Sequence, residues 1–143
     1  MTVAAILAEK GREVATTTAQ TSLAEVVRTL AARKIGALVV VDADRRIDGI
    51  VSERDIVRAI AAAGGDGLNQ PVSSIMTRTV VTCTNSETIN DVMTRMTRGR
   101  FRHLPVTDEG RLSGIVSIGD VVKARIEQVE REAEELKAYI ATA

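Results

Sequence analysis

The feature that most constrains this chain is a phrase that occurs twice. GIVSERDIV begins at Gly49, and GIVSIGDVV begins 65 residues later at Gly114. The surrounding sequence follows the same register, so that residues 14–60 align with residues 80–126. The alignment shifts by one residue in the loop before each phrase, where insertions are tolerated. Most of the 143 residues therefore belong to two related copies.

Each copy predicts the same order of elements, β-α-β-β-α. A short strand, near residues 14–18 and again near 79–83, precedes a helix whose apolar residues recur at helical spacing. A β-branched segment, a turn, a second strand and a second helix follow, and the first copy's second helix spans about residues 53–63. One unit of about 50 residues buries too little surface to be secure alone. We predict an α+β fold of two repeats packed as a pseudo-two-fold pair, with an N-terminal helix and a long C-terminal helix.

Glycine and proline suggest the boundaries. Gly11 is placed to end the N-terminal helix, and the segment GGDGLNQP opposes continuation of the helix before it. The predicted divisions are residues 1–12 for the N-terminal helix and cap, 13–64 for repeat 1, 65–77 for the linker, 78–128 for repeat 2 and 129–143 for the C-terminal helix extension.

Composition argues against several functions. Nineteen basic residues balance nineteen acidic residues, without the basic excess typical of nucleic-acid or membrane-surface proteins. No apolar run approaches the roughly 20 residues of a membrane helix, and the N-terminal VAAILA lacks the features of a secretory leader. One cysteine fits a reducing compartment, so we expect a cytoplasmic location. A single histidine and a single cysteine offer no zinc cluster, and no nucleophile stands beside a base. We expect no catalytic residues and no metal.

The repeated Ser-x-x-Asp has two explanations. Ser52 with Asp55, and Ser117 with Asp120, stand where a strand meets a helix, which is the pattern of a capping box. Ser22-x-x-Glu25 has the same form. Alternatively, a helix N-terminus binds phosphate through free amides, and a carboxylate there accepts hydrogen bonds from a ribose. A cluster of basic residues just before the strand of the second copy, where the first copy has the apolar Ile35-Gly36-Ala37, favours a ligand. Its members are Arg98, Arg100, Arg102 and His103.

The ordered motifs resemble the tandem CBS-domain module, also called the Bateman module. They are the repeated G-I-V-S-x-x-D, the preceding IGALVVVD and FRHLPVTD, and the linker motif VSSIMT, and they cover about residues 10–128. The segments EKGREV and SIGDVVK resemble stand-alone CBS-pair proteins that carry no attached enzyme.

The resemblance implies a regulatory ligand that contains adenosine, such as AMP, ATP or NAD/NADH, bound between the repeats. In such modules the motif Asp holds the ribose, the Ser touches ribose or phosphate, a basic pair before L-P-V reaches phosphate, and each repeat's first strand clamps adenine. Arg54 offers the first motif an anion contact that Gly119 does not offer the second. We therefore expect the Asp55 site to be the better anion site. The predicted nucleotide-binding residues are Val14, Ala15, Thr16, Ser52, Arg54, Asp55, Val80, Val81, Arg100, Arg102, His103, Leu104, Pro105, Ser117, Ile118 and Asp120, with Lys10 and Gly119 as weaker candidates.

Two single residues have alternative interpretations. His103 either contacts phosphate or packs beside Pro105. Cys83 is interpreted as a small buried apolar residue rather than a redox sensor. Met76, Met93 and Met96 are predicted to lie in the core.

The C-terminal segment carries a heptad seam, with apolar residues spaced alternately four and three apart. We interpret it as a homodimer element that acts together with the modules. Alternatively it packs on its own N-terminal helix, against Val3, Ile6 and Leu7. The seam residues are Val122, Ile126, Val129, Ala133, Leu136 and Ile140.

The predicted function is a non-catalytic regulatory module that binds an adenosine nucleotide and signals energy or redox state to a target protein. The alternative is a dimeric scaffold whose nucleotide clefts are empty or vestigial.

Overall fold

The computed structural model describes residues 1–142. Residue 143, the end of the predicted C-terminal extension, lies outside the described residues. The predicted α+β architecture is confirmed, including the N-terminal helix and the long C-terminal helix. The elements in chain order are α1 (Val3–Lys10), β1 (Thr16–Thr17), α2 (Leu23–Arg33), β2 (Ala37–Val41), β3 (Ile47–Ser52), α3 (Glu53–Ala63), α4 (Ile89–Gly99), β4 (His103–Asp108), β5 (Arg111–Ser117) and α5 (Ile118–Thr142).

The first copy forms a three-stranded sheet in the order β1-β2-β3. Strand β1 pairs parallel with β2, and β2 pairs antiparallel with β3 so that Val39 lies opposite Ile50. All five residues of β2 are buried, which explains its uninterrupted apolar sequence. The first strand is shorter than predicted, since only Thr16 and Thr17 are paired.

The second copy pairs only β4 with β5. The predicted strand near residues 79–83 is wrong, because a single parallel bridge joins Cys83 to Val106. Pro105 gives the physical reason. It occupies the position of Val39, whose amide donates to the Ala15 carbonyl, and proline has no amide hydrogen to donate.

The segment between the copies ends the α-helix, as the glycines predict. Helix α3 stops at Ala63, and the chain continues as short 3-10 helices over Gly64–Asn69 and Val72–Ser74. None of the helices within residues 1–142 combines the length and apolar character needed to cross a bilayer.

Each copy is covered by the segment that precedes the other copy. The linker motif packs on the first copy, where Val72 donates its amide to Thr21 and Ser73 donates to Ala19. Helix α1 packs on the second copy in the same way, with Val3 donating to Glu87 and Ala4 donating to Asn85. The sequences VAAILA and VSSIMT therefore play equivalent roles.

The chain divides into two compact units that follow this exchange. One unit contains Met1–Arg12, Cys83–Val106 and the chain from Gly114 onward, and the other contains Glu13–Thr82 with Thr107–Ser113. The second of these has a continuous apolar core that includes Leu23, Leu38, Val40, Val72 and Met76.

The two glycines that begin the repeated phrase have one explanation. A Cβ atom on Gly49 would lie 2.7 Å from the Met76 sulfur and 2.8 Å from the Thr77 carbonyl oxygen. A Cβ atom on Gly114 would lie 2.7 Å from a Leu7 methyl carbon. Each glycine therefore leaves room for the covering segment to cross its strand closely.

Candidate functional site

The first Ser-x-x-Asp motif forms a complete capping box at the start of α3. The Asp55 amide donates to Ser52 Oγ at 3.3 Å, and the Ser52 amide donates to Asp55 Oδ2 at 2.8 Å. The Ser52 hydroxyl adds a 3.0 Å bond to the same carboxylate oxygen. The capping interpretation of this motif is therefore confirmed. Among the described residues no hydrogen bond reaches Asp55 Oδ1, so the carboxylate keeps one oxygen for another donor.

The second motif forms the same box at the start of α5. The Ser117 amide donates to Asp120 Oδ2 at 2.8 Å, and the Asp120 amide donates to Ser117 Oγ at 3.1 Å. A further donor joins it, because Lys10 Nζ lies 2.6 Å from Asp120 Oδ2 and 2.9 Å from the Ile115 carbonyl oxygen.

The lysine changes the electrostatics of this carboxyl. Burial disfavours the charged form, but hydrogen bonds from Lys10 and Ser117 and the nearby positive charge outweigh it. The pKa of Asp120 therefore lies below its ordinary value of 3.8. Asp120 is a charge-paired carboxylate, whereas Asp55 has no cation partner among residues 1–142.

By contrast, Ser22 caps α2 through a 3.3 Å bond from the Glu25 amide. The hydrogen bonds described for residues 1–142 include none in which the Ser22 amide donates to the Glu25 carboxylate. The reciprocal box is thus a property of the two Asp motifs.

Of the predicted basic residues, Arg102 lies beside the second motif. The Ile118 amide donates to the Arg102 carbonyl at 2.8 Å, which fixes Arg102 beside the start of α5. In the first copy the Glu53 amide makes the equivalent bond to Gly36 at 3.0 Å. Arg98, Arg100 and Arg102 are all exposed, and no ion pair joins them to an acidic group in the described chain. They can therefore meet an anion without first breaking a salt bridge.

The remaining predicted nucleotide-binding residues differ in their exposure to solvent. Arg54 is exposed and beside Asp55, while Ile118 and Gly119 are exposed at the start of α5. Leu104 and Pro105 are buried in β4, and His103 is half-buried at its first residue. The segments proposed to clamp adenine are half-buried: Val14, Ala15, Thr16, Val80 and Val81.

The structure groups these residues into two sets. Ser52, Arg54 and Asp55 share a compact unit with the segments at 14–16 and 80–81. Residues 100–105 share the other unit with Lys10 and with the motif at 117–120.

Sequence reasoning missed the two least exposed ion pairs. It treated Lys10 as a weak phosphate candidate and did not foresee its bond to Asp120. The other pair joins Arg95 to Glu87 at the start of α4 and lowers the pKa of Glu87, chiefly through the hydrogen bond from Arg95. The match of VAAILA to VSSIMT was the available signal for the first pair, since it places α1 on the second copy. The second pair had no such signal.

Cys83 is buried as predicted, and burial raises its thiol pKa to about 11. A thiol with that pKa is protonated at neutral pH and is a poor nucleophile. Within residues 1–142 no group of three or more His, Cys, Asp or Glu side chains is arranged to hold a metal ion.

Comparison with known families identifies the repeat. The model of the CBS domain matches twice, over residues 9–62 and 72–127. The chain belongs to the CBS-domain family. A relative from Arabidopsis thaliana, the mitochondrial CBS domain-containing protein CBSX3, is 36% identical over 120 residues. That alignment covers 81% of this chain but 58% of CBSX3, so the chain spans less than two thirds of that protein.

Solved CBS-pair structures have the same fold. The CBS-domain containing protein ATU1752 from Agrobacterium tumefaciens is 51% identical and superposes with a TM-score of 0.84, covering 87% of this chain and 99% of its own. The CBS domain pair of MJ0100 was solved with 5'-methylthioadenosine and S-adenosyl-L-methionine, with a TM-score of 0.80, 26% identity, and coverage of 90% and 98%. CBSX2 was solved with AMP, with a TM-score of 0.71, 25% identity, and coverage of 80% and 88%.

Proposed function

We propose that this chain is a regulatory module that binds a ligand containing adenosine, of the AMP, ATP or NAD type. The observation that carries the proposal is the geometry of Asp55. Its carboxylate is fixed in the first turn of α3 by Ser52, yet Oδ1 remains available to accept from a ribose hydroxyl. The solved CBS pairs support the ligand class, because AMP, 5'-methylthioadenosine and S-adenosyl-L-methionine all contain adenosine.

Asp55 is the primary ribose ligand in this proposal. Its motif also offers a helix N-terminus and the exposed Arg54 to a phosphate. Ser117 and Asp120 form a second, weaker site, because Lys10 already donates to the Asp120 carboxylate and offsets its charge.

Signalling follows from differential binding. A ligand shifts a population only when it binds one arrangement of the protein more tightly than another. We propose that occupancy of the Asp55 motif favours one arrangement of a homodimer, which reports energy or redox state to a target protein. The proposal contains no catalytic step.

The first experiment examines freshly purified protein. With no tryptophan and one tyrosine, the chain absorbs weakly at 280 nm, so a bound adenosine dominates the ultraviolet spectrum. Denaturation, filtration and mass spectrometry of the filtrate then identify a tightly bound ligand.

Calorimetry tests the residue assignment with AMP, ATP, NAD and S-adenosylmethionine as titrants. We expect Asp55→Ala to weaken binding at least tenfold, which corresponds to about 1.4 kcal/mol. Ser22→Ala is the control, because it removes a helix-capping side chain outside the two Asp motifs. Equal, small losses in both variants would assign Asp55 to capping alone.

The second candidate function is a scaffold with empty clefts, which the exposed apolar seam of α5 favours. It predicts that the chain forms a homodimer and that none of the four titrants raises its melting temperature. A ligand at 100 times its dissociation constant adds about 2.7 kcal/mol to the free energy of unfolding, so its effect is readily measured.

A further inference from the structure

The apolar seam of α5 is uncovered in the single chain. Val122 is 44% exposed, Leu136 is 60% exposed and Ile140 is 65% exposed, and the intervening seam residues Ile126, Val129 and Ala133 are also exposed. The alternative in which the seam packs on α1 is therefore wrong, even though Val3, Ile6 and Leu7 are buried.

The side of α5 that the chain does cover is a different one. Its buried residues are Val121 and Ala124. Ala124 precedes the seam residue Ile126 by two positions, which turns it to nearly the opposite face of a helix with 3.6 residues per turn. The chain's own packing thus leaves the seam side open along the whole helix. The seam spans 19 residues, or about 28 Å at about 1.5 Å per residue.

The heptad register assigns each residue beside the seam. Ile126, Ala133 and Ile140 take position a, and Val122, Val129 and Leu136 take position d. Ile126 and Ile140 at a with Leu136 at d follow the pattern of two-stranded coiled coils, and Val122, Val129 and Ala133 complete the apolar seam. Five of the six flanking positions are charged: Arg125 and Glu132 at g, with Lys123, Glu130 and Lys137 at e; the remaining g position is Tyr139.

These charges distinguish the two directions in which a second copy can lie. In a parallel, in-register pair, a g residue faces the e residue five positions later in the partner helix. Arg125 then faces Glu130 and Glu132 faces Lys137, so both contacts are attractive and each occurs twice.

An antiparallel pair that covers the same seam has like charges in contact. Glu130 faces its own counterpart, Glu132 faces its own counterpart, and Lys123 faces Lys137. Like charges at these positions suppress the wrong pairing.

The contacts that the charged side chains make within one chain are weak. Arg125 lies 3.4 Å from the Gln128 amide oxygen, and Lys137 lies 3.6 Å from the exposed Glu134. Exposed contacts of this kind contribute little, so these side chains can turn to a partner at small cost.

From the open seam and these charges we infer that α5 binds α5 of a second copy as a parallel, in-register two-stranded coiled coil. The inference rests on the homodimer of the proposed function and adds its direction. It is independent of the nucleotide, because no residue of the Asp55 motif contributes to the seam.

Disulfide trapping in the full-length chain tests the direction. In the parallel pair Leu136→Cys meets its own counterpart, whereas in the antiparallel pair the two sulfurs lie about 15 Å apart along the axis. We expect rapid oxidative dimerisation of this variant. Ala138→Cys, at outward position f, is the matched control and is expected to stay monomeric on a non-reducing gel. Native Cys83 is buried, so the wild-type chain measures the background level of cross-linking.

Two outcomes would overturn the inference. One is efficient cross-linking between Ile126→Cys and Leu136→Cys chains in a mixture, with little cross-linking of either alone, which would indicate antiparallel helices. The other is a monomeric wild-type chain by light scattering across the micromolar range, which would leave the seam to a different partner or to a membrane surface.

Charge reversal provides a second test without cysteine. Arg125→Glu places like charges at two parallel contacts and is expected to raise the dimer dissociation constant about tenfold, with recovery in the Arg125→Glu/Glu130→Arg double variant. In the antiparallel pair Arg125 faces Tyr139, so a dissociation constant that does not change would contradict the parallel arrangement. Calorimetry with AMP on the same variants separates this result from any failure of nucleotide binding.

Discussion

The two copies of G-I-V-S-x-x-D build the same capping box but leave their aspartates in different states. Asp55 accepts hydrogen bonds only from Ser52, whereas Asp120 also accepts from the charged Lys10, at 2.6 Å. The difference arises outside the motif, since Lys10 belongs to α1 and the equivalent end of the linker carries no lysine. A repeated motif therefore defines a repeated backbone, while the covering segment decides what each carboxylate is free to bind.

The two covering segments also differ in how easily they can move to accommodate a methyl group on the glycine beneath them. Gly49→Ala would press a methyl group against the Thr77 backbone oxygen, whereas Gly114→Ala would press it against the flexible end of Leu7. We expect Gly49→Ala to lower the free energy of unfolding by about 2–3 kcal/mol and Gly114→Ala by about 1 kcal/mol. Urea denaturation of both variants measures the difference, and equal losses would show that the two covers yield equally.

The ion pair predicts a smaller difference between the aspartates. Asp55→Asn and Asp120→Asn both weaken a capping box, at a cost of about 1 kcal/mol. Asp120→Asn also removes the partner of Lys10, so we expect it to cost about 0.5–1 kcal/mol more. Adding Lys10→Met to each variant forms a double-mutant cycle by urea denaturation. Coupling of Lys10 to Asp55 as large as its coupling to Asp120 would contradict the assigned pair.

The same pair predicts a pH dependence confined to the second copy. The folded-state pKa of Asp120 lies below 3.8, so its contribution is present above that pH and is lost as the pH falls through the folded-state pKa. Wild type should therefore lose stability more steeply than Asp120→Asn in this acid range. Glu87→Gln is the necessary control, because the pKa of Glu87 is also lowered, through Arg95. Parallel curves for wild type and Asp120→Asn would exclude the pairing in solution.

The smallest predicted effect concerns the missing first strand of the second copy. Pro105→Val restores the amide that Val39 provides in the first copy, but it also raises the conformational entropy of the unfolded chain. The free energy of unfolding should change by less than about 1 kcal/mol. The new amide should nevertheless be protected from hydrogen exchange, as expected for the Val39 amide, which donates to the Ala15 carbonyl. Exchange at the rate of an open loop would show that proline is not what shortens the strand.

Sequence reasoning predicted the repeated elements because each depends on local chemistry. The apolar spacing of Leu23, Val26 and Leu30 predicts α2, and Ser52 with Asp55 predicts the start of α3. The second copy's first strand could not be predicted in this way, because one backbone donor at Pro105 decides it. The site motifs were likewise visible in the sequence, whereas the Lys10–Asp120 pair depends on which copy α1 covers. Residues 110 positions apart in the chain meet only through that exchange.

The exchanged covers also impose an order on synthesis. Helix α1 leaves the ribosome before the surface that it covers, because its hydrogen-bond partners lie near Glu87 and its packing partner is Gly114. Roughly 100 further residues must be made before that surface exists, which takes about 5–20 s at about 5–20 residues per second. During that interval the apolar side of α1, with Val3, Ile6 and Leu7, has no native surface to cover. In that interval, α1 must therefore be protected from aggregation by something other than its native packing.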